Sequence, residues 1–278
     1  MSAPSPLEVE HLSVVYEGRW RSRLVAVSDV SFTLERGETL ALVGESGSGK
    51  STIGKAIVGL APVSQGTVRV AGVPVRPAAR RELARMVQLV FQDPYSSLDP
   101  TKTVGHTIAQ PLLVHERLSV AQWGPRVRDL LVRVGLPGDA ARRYPAEFSG
   151  GQRQRIAIAR ALIVQPQVVV CDEPVSALDL SVQAQILNLL SQLQAELGLS
   201  YLFISHDLTV VRRLAHRVAV LWAGHLVELG PANEVYRQPQ HPYTRALLDA
   251  APVADPAVQR GRSLATVLHR ADGGRPLA

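Results

Sequence analysis

Thr39–Val43 is a short apolar run that passes directly into Gly44-Glu45-Ser46-Gly47-Ser48-Gly49-Lys50-Ser51-Thr52, with helix-forming residues following to about residue 60. A strand buried on both faces, a glycine-rich turn and a helix in immediate succession match the phosphate-binding P-loop in spacing and in setting. The glycines let backbone N–H groups turn inward around phosphate oxygens, and the positive end of the next helix attracts the same anion. On this reading Lys50 holds the β and γ phosphates and the Ser51 hydroxyl is a Mg²⁺ ligand.

A loop of this kind sits on a sheet of alternating strands and helices, and the rest of the chain is patterned for one. Residues 7–16 and 25–34 are β-branched and apolar with partial alternation, as paired strands are. Residues 66–75 and 86–91 continue the β pattern on either side of a polar, arginine-rich stretch. From about 93 to 166 the pattern becomes helical, over 104–114, 121–134 and 151–164, with proline and glycine between the segments. That reads as a helical subdomain inserted into the core. The core resumes with a buried strand at 168–171 and a helix over 181–197, whose Val182, Ile186, Leu189, Leu190, Leu193 and Leu197 share a face and whose stop is Gly198. Strands at 201–204 and 218–221 flank a short helix at 208–215. The succession predicts an α/β fold with a mainly parallel sheet.

Two acidic residues complete the chemistry that a P-loop lacks. Asp172 ends the buried strand at the carboxyl edge of the sheet, where a carboxylate can help organise Mg²⁺, and Glu173 beside it can polarise an attacking water. A nucleotide hydrolase fits this pair better than a kinase or a GTP switch.

Composition narrows the class further. No stretch of 18 or more apolar residues occurs and Met1 to Glu10 lacks a signal-peptide pattern, so the expectation is a cytoplasmic chain that does not itself form a pore. Cys171 is the one cysteine, which excludes a disulfide framework and a cysteine metal cluster. The net charge of +6 comes from dispersed arginines rather than a basic stripe with interleaved aromatics, so no nucleic-acid partner is expected.

Phe148-Ser149-Gly150-Gly151-Gln152, followed by a helical run, resembles the signature sequence of ABC transporter ATPases. The resemblance covers roughly residues 7–230 and takes in, in order, the P-loop, Gln92 of Phe91-Gln92-Asp93-Pro94, the signature, Asp172-Glu173-Pro174, Ser176-Ala177-Leu178-Asp179, and His206 after a strand. It implies a P-loop NTPase core of RecA-like type with an antiparallel β subdomain and the inserted helical subdomain at about 93–166. It also implies ATP and Mg²⁺ as cofactors. By the same resemblance Glu173 is the catalytic glutamate, Gln92 touches Mg²⁺ or the attacking water, and His206 senses the γ-phosphate. Ser149, a helix cap in form, and Gly150, Gly151 and Gln152 meet the ATP held by a second domain's P-loop, and Asp179 crosses between the two domains. Tyr16 is the candidate for stacking on adenine, with Trp20 as its rival.

Beyond Gly230, His241-Pro242-Tyr243-Thr244 before Ala246-Leu247-Leu248 resembles the C-terminal motif of oligopeptide, dipeptide and nickel importer ATPases. This divides the chain into an ATPase domain at 1–230 and a C-terminal extension at 231–278 with a flexible end. Many relatives carry a cysteine cluster after the motif; no cysteine follows Cys171 here, so no iron–sulfur cluster is carried over. The branch implies a peripheral subunit on the cytoplasmic face of the cell membrane. Its partners would be a second, non-identical ATPase, two permease subunits and, indirectly, an external substrate-binding protein. Peptide import is the leading expectation. The alternatives are import of nickel or another metal chelate by the same engine, and a non-transport ABC ATPase acting on nucleic acid or ribosomes.

Overall fold

The computed structural model describes residues 4–17, 23–93, 97–116 and 118–250. In chain order the strands are β1 (Leu7–Glu17), β2 (Arg23–Leu34), β3 (Thr39–Val43), β4 (Gln65–Val70), β5 (Val73–Pro74), β6 (Val87–Val90), β7 (Val168–Asp172), β8 (Ser200–Ser205), β9 (Arg217–Trp222) and β10 (His225–Pro231). The α-helices are α1 (Lys50–Ile57), α2 (Arg80–Met86), α3 (Val104–His115), α4 (Val120–Arg133), α5 (Gly150–Leu162), α6 (Leu180–Leu197), α7 (Leu208–Leu214), α8 (Ala232–Arg237) and α9 (Pro242–Ala250).

β3, β7 and β8 are buried along their whole length, which is why they read as unbroken apolar runs. They pair in parallel within a six-stranded sheet of order β10-β9-β3-β8-β7-β6, closed at one edge by the antiparallel β10. Alternation along each strand sends its side chains to two different cores. Leu40, Leu42, Val168, Val170, Leu202 and Ile204 face α1 and the second sheet. Ala41, Val43, Val169, Cys171, Tyr201 and Phe203 face the other way, into a core shared with the helices. The second sheet is antiparallel, of order β2-β1-β4-β5.

Helices α3, α4 and α5 form the insert, and their buried residues Ile108, Leu131 and Ile156 belong to the same core as Val169 and Phe203. The insert is therefore packed on one face of the six-stranded sheet rather than tethered beside it. α6 ends at Gly198, which takes the left-handed conformation (φ 64°).

Two elements differ from the sequence expectation. The arginine-rich stretch forms α2, with only Leu83 buried, so its helical face is too thin to show as periodicity. β10 was not expected: it is an edge strand of mixed exposure, and such strands lack a clean alternation. It runs through position 230, with Gly230 and Pro231 paired to Val218 and Arg217. The residues that follow fold as α8 and α9. Positions 251–278, including the end expected to be flexible, lie outside the described residues.

Candidate active site

β3 delivers the chain to Gly44 at the carboxyl edge of the parallel sheet, and the loop then turns on Gly44 (φ 149°), Gly47 (φ 81°) and Gly49 (φ 103°). At two of these positions glycine is also required by space. A Cβ on Gly44 would collide with the carbonyl oxygen of Leu221 in β9, and one on Gly49 with that of Ala26 in β2. The loop is thus pressed from both sheets. Ser48 is buried, and its carbonyl accepts a hydrogen bond of 3.1 Å from Gly224 N–H, in the turn between β9 and β10. Ser46 and Gly47 are exposed at the crown of the loop, and Thr52 lies half-buried in the first turn of α1.

Lys50 is only 4% exposed and folds back over the loop. Its Nζ donates to the carbonyls of Gly44 (2.8 Å) and Glu45 (2.6 Å), with the Ser48 hydroxyl at 3.4 Å. Burial lowers the pKa of the ammonium, while Glu173, Asp172 and Glu45 push the other way. Because its hydrogen bonds go to neutral oxygens, the charge is available to an anion laid in the loop.

Ser51 Oγ donates to Asp172 Oδ1 at 2.8 Å, joining the start of α1 to the end of β7. Burial raises the Asp172 pKa; the Ser51 hydrogen bond opposes that shift and the Glu173 charge adds to it. A hydroxyl and a carboxylate oxygen meeting beside a phosphate loop are the hard donors that Mg²⁺ takes, so these residues fit that ion.

Glu173 follows with φ 47°, in the left-handed region that a non-glycine residue rarely adopts. The turn is held by Glu173 N–H donating to the Ile204 carbonyl (3.0 Å) and by Ser176 Oγ donating to the Glu173 carbonyl (3.1 Å). The Glu173 side chain is 15% exposed. Its Oε2 accepts from Gln92 Nε2 at 3.1 Å, and its Oε1 lies 3.0 Å from His206 Nδ1. The topology explains the meeting. Gln92, Glu173 and His206 stand just past the ends of β6, β7 and β8, and these are neighbouring parallel strands. The carboxyl ends of such strands are where open α/β sheets bind ligands.

The remaining candidate residues lie in separate groups. Ser149 caps α5: its Oγ accepts from Gln152 N–H (3.4 Å) while Gln152 Oε1 accepts from Ser149 N–H (3.0 Å), a capping box. Gly150 opens that helix. Gly151 is required inside the chain itself, because a Cβ there would run into Val182 Cγ1 of α6. Asp179 caps α6, accepting from Val182 N–H (3.0 Å) and Ser181 Oγ (2.7 Å), and these bonds lower its pKa. Tyr16 is half-buried in β1 opposite Leu24, against the core beneath the loop; Trp20 lies outside the described residues.

One contact had no local signal in the sequence. Glu45 N–H, in the loop, donates to the hydroxyl of Tyr243, 198 positions away, at 3.1 Å. The Tyr243 motif was legible only as a marker of a family branch.

Comparison with known proteins adds to this geometry. Residues 27–176 match the ABC transporter family, and residues 227–273 match the oligopeptide/dipeptide transporter C-terminal region. The chain is 57% identical over 235 residues to a putative peptide import ATP-binding protein of Brucella abortus, covering 83% of this chain and 70% of that one. It is 56% identical over 235 residues to the glutathione import ATP-binding protein of Pectobacterium atrosepticum, covering 84% of this chain and 38% of the relative, so it spans little over a third of that protein. Among solved structures, the dimeric post-hydrolysis state of an ATP-binding cassette bound to ADP and phosphate matches with a TM-score of 0.72 at 28% identity, over 81% of this chain and 98% of the other.

Proposed function

Because the chain belongs to the ABC transporter family, we propose that it binds and hydrolyses ATP on the loop Gly44–Thr52 to power the import of short peptides through separate membrane proteins. The observation that carries hydrolysis is the Glu173 carboxylate held between Gln92 and His206, one residue beyond the Asp172 that bonds Ser51. The cargo class rests on the match of residues 227–273 to the oligopeptide/dipeptide C-terminal region.

Each residue has a part that its chemistry suits. Lys50 trades its loop carbonyls for the β and γ phosphate oxygens and neutralises the charge that builds there. Ser51, Asp172 and Gln92 would hold Mg²⁺, which supplies further charge neutralisation when bound. Glu173 accepts the proton of the attacking water, while Gln92 and His206 fix the direction of its carboxylate. His206 then reports the γ-phosphate through the same hydrogen bond. Tyr16 stacks on adenine.

Ser149, Gly150, Gly151, Gln152 and Asp179 form a second surface, built on the starts of α5 and α6, and we assign it to the nucleotide of a second ATPase domain. Every element of both surfaces is intact, so pairing with a like domain gives two competent composite sites. Among the described residues no helix is long and apolar enough to cross a membrane, which fits a peripheral subunit working at the cytoplasmic face on two permeases. An external binding protein would bring the cargo.

The test is ATP hydrolysis by the complex reconstituted with its permeases, second ATPase and binding protein, with short peptides or Ni²⁺ as stimulants. Stimulation by peptides alone supports the reading. Stimulation by Ni²⁺ alone keeps the catalytic roles and overturns the cargo.

A further inference from the structure

We propose that Tyr243 is a positioning residue of the nucleotide loop: its hydroxyl latches the peptide plane between Gly44 and Glu45 in the form that receives phosphate. The inference rests on the nucleotide site assigned above. It gives the C-terminal segment a direct part in ATP binding.

The plane in question is bonded on both of its edges. Its carbonyl, that of Gly44, accepts from Lys50 Nζ at 2.8 Å, and its N–H, that of Glu45, donates to Tyr243 Oη at 3.1 Å. Gly44 has no side chain and a φ of 149°, so no Cβ fixes this plane, and its rotation would turn the Glu45 N–H away from the cradle. When Lys50 turns to a phosphate it releases the carbonyl edge. The tyrosine bond is then what keeps the plane in register.

The tyrosine is itself fixed from the hairpin beside the loop. Its ring stacks on Trp222 at the end of β9, with centroids 5.5 Å apart and planes at 25°. Its N–H donates to His241 Nδ1 at 3.2 Å, and the His241 ring lies 6.2 Å from Trp222. The Glu228 carboxylate, on β10, accepts the N–H groups of Gln240 (2.9 Å) and His241 (3.0 Å), which sets the entry into α9. Two residues past Trp222, Gly224 N–H holds the Ser48 carbonyl. The β9–β10 hairpin and the segment after it therefore grip the loop at two separate points. Burial raises the pKa of the Tyr243 phenol, so the hydroxyl stays neutral and accepts the backbone N–H at any working pH.

The experiment titrates ATP into the full chain and measures KM and kcat in the assembled complex, for the wild type, Tyr243→Phe and Tyr236→Phe. Tyr243→Phe keeps the ring against Trp222 and removes one hydrogen bond. Tyr236→Phe removes the bond from the same C-terminal segment to the Leu208 carbonyl (2.7 Å), away from the loop. Loss of one hydrogen bond predicts ATP affinity weakened about two- to tenfold in Tyr243→Phe, carried in KM rather than kcat, and wild-type affinity in Tyr236→Phe. Equal affinity for Tyr243→Phe and the wild type overturns the latch. So does an equal loss in both variants, which would mean that docking of the segment alone matters. A wild-type chain that binds no ATP overturns the site assignment, and the latch with it.

Discussion

Replacing Glu173 by Gln keeps the size and planarity of the side chain and removes its negative charge. The carboxylate now offers one oxygen to Gln92 Nε2 and the other to His206 Nδ1. A glutamine retains a single oxygen, which can stay on Gln92 Nε2, and its N–H₂ can donate to His206 Nδ1 in the tautomer that carries its proton on Nε2. The fold of the site survives; the proton acceptor does not. A positioned general base contributes about 10²- to 10⁴-fold, so hydrolysis should fall by that factor, equivalent to about 2.7–5.4 kcal/mol of barrier at 1.36 kcal/mol per tenfold. Binding should not fall with it. Glu173 heads the charges that act on Lys50, so its neutralisation removes a repulsion on incoming phosphate and leaves the lysine and the Ser51–Asp172 pair in place. ATP affinity should be unchanged or tighter by about threefold on this electrostatic argument. Steady-state ATPase rates of the assembled complex, with an equilibrium titration of ATP, separate the two effects. Turnover within tenfold of the wild type would refute the role of Glu173 as base. A loss of affinity beyond tenfold would show that the residue holds the ligand.

Two further predictions concern the frame around the site. Gly44→Ala combines a side chain at φ 149° with a collision against the Leu221 carbonyl, so the loop must shift. ATP affinity should drop by at least about tenfold and the thermal midpoint should fall by a few degrees, given the roughly 1–3 kcal/mol of strain at such a position; wild-type values for both would mean that the loop tolerates a different path. The Cys171 thiol, buried in β7, has its pKa pushed up to about 12 by burial and the adjacent Asp172. At pH 8 it is protonated and enclosed, so iodoacetamide should leave it unmodified in the folded chain and label it in denaturant; rapid labelling without denaturant would show that this strand opens.

What could be read from the sequence follows from where each residue's constraint lies. The P-loop and the strands read at 168–171 and 201–204 were legible because burial on both faces demands unbroken apolar runs, and because Gly44, Lys50 and Ser51 act through neighbours in sequence. Asp172 and Glu173 could be located at a strand end by the same logic. The roles of Gln92 and His206 came only by resemblance, and their meeting on Glu173 was not legible at all, since it depends on β6, β7 and β8 lying side by side. Gly151 read as a close approach to a nucleotide; the structure gives it a second reason, Val182 of α6, which no local pattern encodes. α2 escaped because it buries only Leu83, and β10 because it is an edge strand with no fully buried residue. The Tyr243 contact escaped because it joins residues 198 positions apart through one backbone N–H, and a single hydrogen bond leaves no periodic trace.

ATP-driven uptake of a labelled short peptide into vesicles carrying the complete complex, compared between the wild type and Glu173→Gln, tests the coupling of hydrolysis to import most directly. Uptake that requires ATP and disappears in the variant, while nucleotide binding persists, is the predicted result. Peptide uptake that continues without hydrolysis in the variant, or a wild-type complex that hydrolyses ATP and moves no peptide, would contradict it.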